Sequence, residues 1–233
     1  NNVPGIEKLN YSFEGTALLK DFSLTINKGD KIAFVGLEHT SKSALFDIIS
    51  GEKKPEGGEF IWGQTTSFSY FPKENSAYFS SDYSIVDWLR QYSLDQDETY
   101  VRSFLGRMLF SGEEALKPVN VLSGGEKVRC LLSKMMLSGA NVLILDDPTN
   151  HLDLEAITAL NDGLMAFPGV ILFNSHDHEF INSIANRIIE ILPQEDNPGG
   201  VIDRMMQFDD YLNDSSVKQL RNNSYRGIKG LRI

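Results

Sequence analysis

A single cysteine, Cys130, stands in 233 residues, so the chain has no internal disulfide and no second thiol for a metal cage, a usage that suits a reducing cytosol. Its expected role is a small core side chain. Long apolar runs are missing too. None approaches the roughly 18 residues that a bilayer span needs, and no basic, apolar, small-residue series opens the chain as a signal peptide does. The sequence therefore neither spans nor addresses a membrane, and a cytoplasmic protein is expected. Basic residues are scarce: 22 Lys and Arg face 32 Asp and Glu, a net charge of -10. That charge repels phosphate backbones at long range and argues against non-specific nucleic-acid binding. The chain opens at Asn1 without a methionine, and a piece of a longer protein is expected.

What is present is a globular balance, 41% apolar and 23% charged, which excludes a disordered, collagen-like or low-complexity chain. No internal repeat at solenoid or propeller periods is visible. The charge is uneven. Beyond Ser215 come Lys218, Arg221, Arg226, Lys229 and Arg232 with no acid, either a solvated end or an arm that touches RNA or a subunit.

Periodicity organises the rest. Ile6 to Phe13 and Phe22 to Ile26 alternate as strands, and Asn27-Lys28-Gly29-Asp30 turns the chain into the almost wholly apolar Lys31 to Val35, the pattern of a strand buried on both faces. Helical spacing comes next over Ala44 to Ile49, closed by Gly51, and returns between about Ser84 and Leu137 as a helical insert. Strand-like runs at Val142 to Leu145, Val170 to Phe173 and Ile188 to Ile191 alternate with helix-like Leu154 to Phe167 and Glu179 to Ala185. Alternating strands and helices imply a parallel sheet covered on both faces. Pro193 to Gly200 reads as a loop, and the chain beyond Gly200 reads as an appendix.

Directly after the buried strand comes Gly36-Leu37-Glu38-His39-Thr40-Ser41-Lys42-Ser43, followed by Ala44, in the strand-loop-helix setting that a phosphate loop requires. In such a loop, backbone N–H groups and the helix N-terminus cradle phosphates, the lysine neutralises the outer ones and the hydroxyl holds Mg²⁺. Gly36, Lys42 and Ser43 keep those places. Ser41 replaces the second glycine, and is expected either to crowd the phosphates or to strain a backbone that glycine adopts freely.

Val142 to Asp147 is an apolar strand ending in two acids. In phosphate-loop NTPases the first, here Asp146, serves Mg²⁺, and the second orients or deprotonates the attacking water. Asp147 is one methylene shorter than glutamate, which costs its carboxylate roughly 1 Å of reach. Upstream, Ser123-Gly124-Gly125-Glu126 is a Ser-x-x-Glu capping box that starts a helix and leaves its N–H groups open to an anion.

Taken with Pro148-Thr149-Asn150-His151-Leu152-Asp153 and Ser175-His176-Asp177, these motifs resemble the nucleotide-binding cassette of the ABC superfamily, in its ABC-F branch of soluble paired cassettes. The resemblance covers about residues 6–192. It implies an α/β cassette of the phosphate-loop NTPase type, with an N-terminal antiparallel β-region and a helical subdomain over about 75–137. The cassette itself is expected to end near 195, with 196–233 as an extension. It further implies ATP and Mg²⁺ as cofactors, with Ser43 and Asp146 on the metal, Asp147 and His176 in catalysis, and residues 36–44 on the nucleotide. Phe13 would stack on adenine, with Tyr11 the other candidate. Ser123 to Glu126 would face the γ-phosphate of ATP held by an opposite cassette. Tyr70-Phe71-Pro72-Lys73 falls at the Q-loop, where Lys73 replaces a Mg²⁺-contacting glutamine, and an ammonium cannot ligate a cation. His178 stands where the family has arginine.

Family loops read Gly-x-Asn-Gly-x-Gly-Lys-Ser/Thr, so Glu38, His39 and Ser41 depart, as do Lys73 and Asp147, all in the half-site this cassette builds around its own nucleotide. The surface offered to a partner, Ser123 to Glu126 and Asn150 to Asp153, is intact. The implied function is the second cassette of an ABC-F ATPase, weakly active alone, whose partners are a first cassette of the same polypeptide or a second copy, and the ribosome through its rRNA. A degenerate cassette that binds without hydrolysing, and a transporter motor, are the alternatives.

Overall fold

The computed structural model of the chain describes residues 5–36, 39–71, 76–150 and 152–225. Successive side chains of a strand point to opposite faces of its sheet, and here that alternation sorts one sheet between two cores. Six strands, β3 (Lys31–Val35), β5 (Phe68–Phe71), β6 (Val142–Asp146), β7 (Val170–Asn174), β8 (Arg187–Ile191) and β9 (Val201–Arg204), form it in the order β5-β6-β7-β3-β8-β9. All neighbours pair in parallel except β9, which runs antiparallel to β8.

Ile32, Phe34, Ile144, Leu172 and Ile189 face one side. They meet helix α1 (His39–Ile49) and the smaller antiparallel sheet of β1 (Gly5–Phe13), β2 (Thr16–Thr25) and β4 (Gly57–Ile61), ordered β2-β1-β4. Phe34 and Phe46 meet edge to face at 5.4 Å there, each burial stabilising the fold by roughly 1.5–3 kcal/mol. Ala33, Leu143, Leu145, Ile171, Phe173 and Ile188 take the other side. Against them lie α4 (Gly124–Leu137), α5 (Leu154–Ala166) and α6 (His178–Ile184). Cys130 is buried in that core, as expected.

The insert is helical, with α2 (Ile85–Arg90) and α3 (Glu98–Arg107) each started by a side-chain cap. Ser84 accepts from the Asp87 N–H and Asp97 from the Tyr100 N–H. Arg129 of α4 donates to the carbonyls of Leu109 (2.8 Å) and Met108 (3.3 Å), tying the end of α3 to α4. Among the described residues no helix is long and apolar enough to cross a membrane.

The segment after the loop differs from the expected appendix. β9 extends the main sheet, and α7 (Phe208–Asn213) and α8 (Ser215–Ser224) return over it. The reason is a buried acid. Glu190, fully buried in β8, accepts from Tyr211 Oη at 2.5 Å, Tyr225 Oη at 2.8 Å and Arg221 Nε at 3.2 Å, and a buried carboxylate demands such partners. Arg221 is thus committed inward rather than to a free basic arm. Arg226, Lys229 and Arg232 lie outside the described residues. A second buried charge fastens the same edge: Arg187 donates to Asp30 (2.6 Å), to Asp203 (2.6 Å) and to the Thr25 carbonyl (3.0 Å).

Candidate functional site

The site forms where β3, β6 and β7 end. After Val35 the backbone turns at Gly36 with φ +114°, a conformation that L side chains rarely adopt, and a Cβ there would meet the Ile191 carbonyl oxygen at 3.0 Å and Glu190 Cγ at 3.4 Å. Glycine is required by both strain and space. Leu37 and Glu38 lie outside the described residues, and helix α1 begins at His39. Ser41 is therefore inside a helix, and it is absent from the residues with positive φ. The backbone strain considered for a non-glycine residue does not arise; what is left is the bulk of a buried hydroxymethyl group.

Lys42 is buried, and its Nζ donates to the Gly36 carbonyl at 2.9 Å. Burial lowers its pKa, opposed by the charges of Asp146, Glu190 and Asp147. The charges of three carboxylates thus act on one ammonium. Thr40 is exposed, Ser43 half-buried and Ala44 buried.

Asp146 and Asp147 are held by a residue that no motif flagged. Asn174, paired in register with Asp146 at the end of β7, donates from Nδ2 to Asp146 Oδ1 at 2.8 Å and accepts the Asp147 N–H at 2.6 Å. Asp147 has φ +51°, a left-handed conformation that aspartate tolerates better than most side chains. Immediately beyond Asn174, the Ser175 and Thr149 hydroxyls meet at 2.8 Å, and Ser175 Oγ accepts the Asp177 N–H at 3.0 Å. These bonds frame His176, whose ring lies 4.8 Å from that of His39 at a tilt of 36°. Ligand atoms of His39, Asp147 and His176 all fall within 4.8 Å of one another.

The structure therefore brings together Gly36, His39, Lys42, Asp146, Asp147 and His176, with Asn174 as the unforeseen clamp. A weak signal for Asn174 was its place at a strand end two residues before His176. Ser123 to Glu126 form a separate place, the N-terminus of α4. Ser123 Oγ accepts the Glu126 N–H (3.3 Å) and Glu126 accepts the Ser123 N–H (2.8 Å), completing the capping box. Lys117 Nζ donates to the same carboxylate at 2.9 Å. A Cβ at Gly124 would meet nothing within 4 Å, so the fold itself does not demand that glycine. Phe13 ends β1 half exposed, at 49%. Tyr11 instead has Lys53 Nζ over its ring at 5.9 Å, and Lys53 is paired with Asp47 at 2.9 Å, which leaves Phe13 the more available aromatic. Lys73 and His151 lie outside the described residues. Asp153 caps α5 by accepting the Ala156 N–H, and His178 bonds Asp209 at 2.7 Å, joining α6 to α7.

A cavity of about 760 Å³ lies elsewhere, among Phe104, Met108, Met136 and Phe167, and none of the predicted site residues lines it. The strand-end arrangement fits Mg·ATP in its own chemistry. The start of α1 and a buried ammonium suit phosphate, and the Ser43 hydroxyl and Asp146 carboxylate are the hard oxygen donors that Mg²⁺ prefers.

Comparison with known proteins bears on the family. A family model described as ABC transporter matches residues 19–150. The chain is 57% identical over 221 residues to the ABC transporter ATP-binding protein YkpA of Bacillus subtilis, covering 94% of this chain and 40% of that protein. It is 32% identical over 191 residues to ABC transporter F family member 5 of Arabidopsis thaliana, covering 82% of this chain and 28% of that one. Among solved structures, the dimeric post-hydrolysis ATP-binding cassette MJ0796 with ADP and Pi superposes with a TM-score of 0.71 at 16% identity, over 88% of this chain and 99% of that one. At that identity the likeness speaks for the fold.

Proposed function

The chain belongs to the ABC ATP-binding cassette family, and from that premise we propose that it is one cassette of an ABC-F ATPase, the second of a pair, that acts in the cytoplasm on the ribosome. The chain spans 40% of the length of YkpA, which leaves room there for another cassette. The observation that carries the reading is the meeting of Asp147 and His176 beside the start of α1, which carries Lys42, with Asn174 bonded to the Asp146 carboxylate and to the Asp147 N–H.

Each residue has a role that its surroundings support. Gly36 and the start of α1 receive phosphate oxygens, and Lys42, already desolvated, neutralises them. Ser43 and Asp146 would hold Mg²⁺, which when bound would offset charge on the phosphates. Asp147 takes the proton of the attacking water at its carboxylate, from a shorter reach than glutamate would have. His176 orients on the outermost phosphate. Phe13 receives the adenine face, and the N-terminus of α4 is offered to nucleotide held by the partner cassette. The short Asp147 and the bulk of Ser41 favour slow turnover at this cassette's own site. They also keep a second reading in view, a cassette that binds and regulates without hydrolysing.

The test uses the full-length protein. Total ATPase activity stimulated by ribosomes, with single-turnover hydrolysis at this cassette's own site lost in Asp146→Asn, is the expected result. Binding of ATP without single-turnover hydrolysis at this site would select the regulatory reading. Sedimentation with membranes rather than ribosomes would overturn the ABC-F assignment.

A further inference from the structure

The geometry points to a site for a divalent transition-metal ion, of the zinc and cobalt class, built by His39, Asp147 and His176 and filled when the phosphate pocket holds no nucleotide. His39 opens α1, Asp147 follows β6 and His176 follows β7, so three separate elements deliver one ligand atom each, all within 4.8 Å of one another. Around tetrahedral zinc, with bonds of about 2.0–2.1 Å, neighbouring ligand atoms lie roughly 3.4 Å apart. Closing the cluster therefore takes side-chain rotations of roughly an ångström, with no change in the strands.

Donor chemistry sets the class. Two imidazoles and one carboxylate favour zinc, cobalt, nickel or copper, whereas Mg²⁺ and Ca²⁺ prefer oxygen alone. Three protein ligands leave a fourth position for water, the pattern of open zinc sites. Electrostatics sets the occupancy. Without phosphate, the charges of Asp146, Asp147 and Glu190 all act on the Lys42 ammonium, Glu190 is also bonded by Arg221 at 3.2 Å, and a cation held at Asp147 offsets that carboxylate's charge. The second imidazole is this chain's own contribution, since His39 stands where resembling loops carry glycine. Packed beside His176 with ring centroids 4.8 Å apart, it turns a lone histidine and acid into a three-ligand set.

Holding the metal engages Asp147 and His176, the two groups assigned above to hydrolysis, so zinc and nucleotide exclude one another. That competition rests on the proposed ATPase reading; metal uptake does not.

Nucleotide-free full-length protein is titrated with Co²⁺, followed by its visible absorption, and with Zn²⁺, followed by calorimetry. The wild type is compared with His39→Asn, Asp147→Asn, His176→Gln and, as a control at a nearby histidine outside the three-ligand set, His178→Ala, which breaks its bond to Asp209, each checked by circular dichroism. We expect each of the first three to weaken Zn²⁺ binding about tenfold or more and to lose the Co²⁺ spectrum, with His178→Ala unchanged. Equal affinity in wild type and the three folded variants, or a loss confined to His178→Ala, overturns the site. ATP added with excess Mg²⁺, so that the triphosphate is already complexed and does not itself chelate Co²⁺, should displace Co²⁺ into solution from the wild type and less readily from Lys42→Ala. If the metal stays bound at saturating ATP while the three variants still lose it, the metal site stands and the placing of ATP at these residues fails.

Discussion

Glu126 joins stability to the surface that α4 offers a partner. Partial burial works to raise its carboxyl pKa, but the Lys117 ammonium at 2.9 Å and the Ser123 N–H at 2.8 Å outweigh it and hold the value at about 2, against an ordinary 4.5. A folded value below the unfolded one means that the carboxylate stabilises the fold above about pH 4.5 and loses that contribution as pH falls toward 2. At 1.36 kcal/mol per unit the shift corresponds to about 3 kcal/mol. Lys117 is exposed, and solvent screening reduces the figure to about 1–2 kcal/mol.

Glu126→Gln isolates the charge, because the amide oxygen still accepts from Ser123. Urea unfolding of wild type and variant across pH should give a difference of about 1–2 kcal/mol at pH 7 that falls to less than half by about pH 3. Lys117→Met should shift stability in the same direction and add little in the double variant, since the two side chains meet. A difference that stays flat from pH 7 to pH 3 would refute the reasoning. Glu126→Ala removes the acceptor as well, frees the Ser123 N–H and loosens the first turn of α4 by about 1 kcal/mol more.

Four further outcomes are expected. Asp147→Glu in the full-length protein should raise single-turnover hydrolysis at this site and Asp147→Asn should lower it; equal rates in all three would remove Asp147 from catalysis. Ser41→Gly should tighten ATP binding measured by calorimetry, and an unchanged affinity would mean that the buried hydroxymethyl group does not crowd the phosphates. Gly125→Asp should lower ribosome-stimulated ATPase more than Lys42→Ala does, because an added carboxylate repels a γ-phosphate at the end of α4; the reverse order would place the activity in this cassette's own site. Arg187→Leu strands Asp30 and Asp203 and should cost about 3–5 kcal/mol in denaturant unfolding, a loss under 1 kcal/mol showing that the pair is solvated.

Elements buried on both faces were the legible ones. β3, β6, β7 and β8 are short runs in which nearly every side chain meets one core or the other, and such runs announce themselves. β5 and β9 did not, because an edge strand has only one neighbour. β9 spends half its four residues on Asp203, the partner of Arg187, and Arg204. Glu190 sits in a readable strand, yet its partners Tyr211 and Tyr225 are 21 and 35 residues away, and no local pattern carries such a distance. The same holds for Asn174, whose role comes from register with Asp146 rather than from a motif. His39 was visible as a departure from the phosphate-loop pattern; that it would stand beside His176 depended on how β7 lies against β3.

Two glycines separate what the fold requires from what a ligand requires. Gly36 has no alternative within the chain: its φ of +114° and the Ile191 carbonyl at 3.0 Å from any Cβ would keep glycine there even if phosphate never bound. Its presence therefore says little about nucleotide. Gly124 is the opposite case, since a Cβ there, at the first residue of α4, meets nothing within 4 Å. Nothing inside the chain calls for glycine at that position, whereas an object approaching the end of α4 from outside would. Around the cassette's own phosphate loop the balance reverses, because Ser41 and Asp147 sit on backbone that the fold accepts, one helical and one left-handed but tied to Asn174. Substitution there is cheap for folding and falls wholly on the ligand. The proposed division of labour, own site weakened and partner-facing helix kept, follows from that difference in what each position costs the fold.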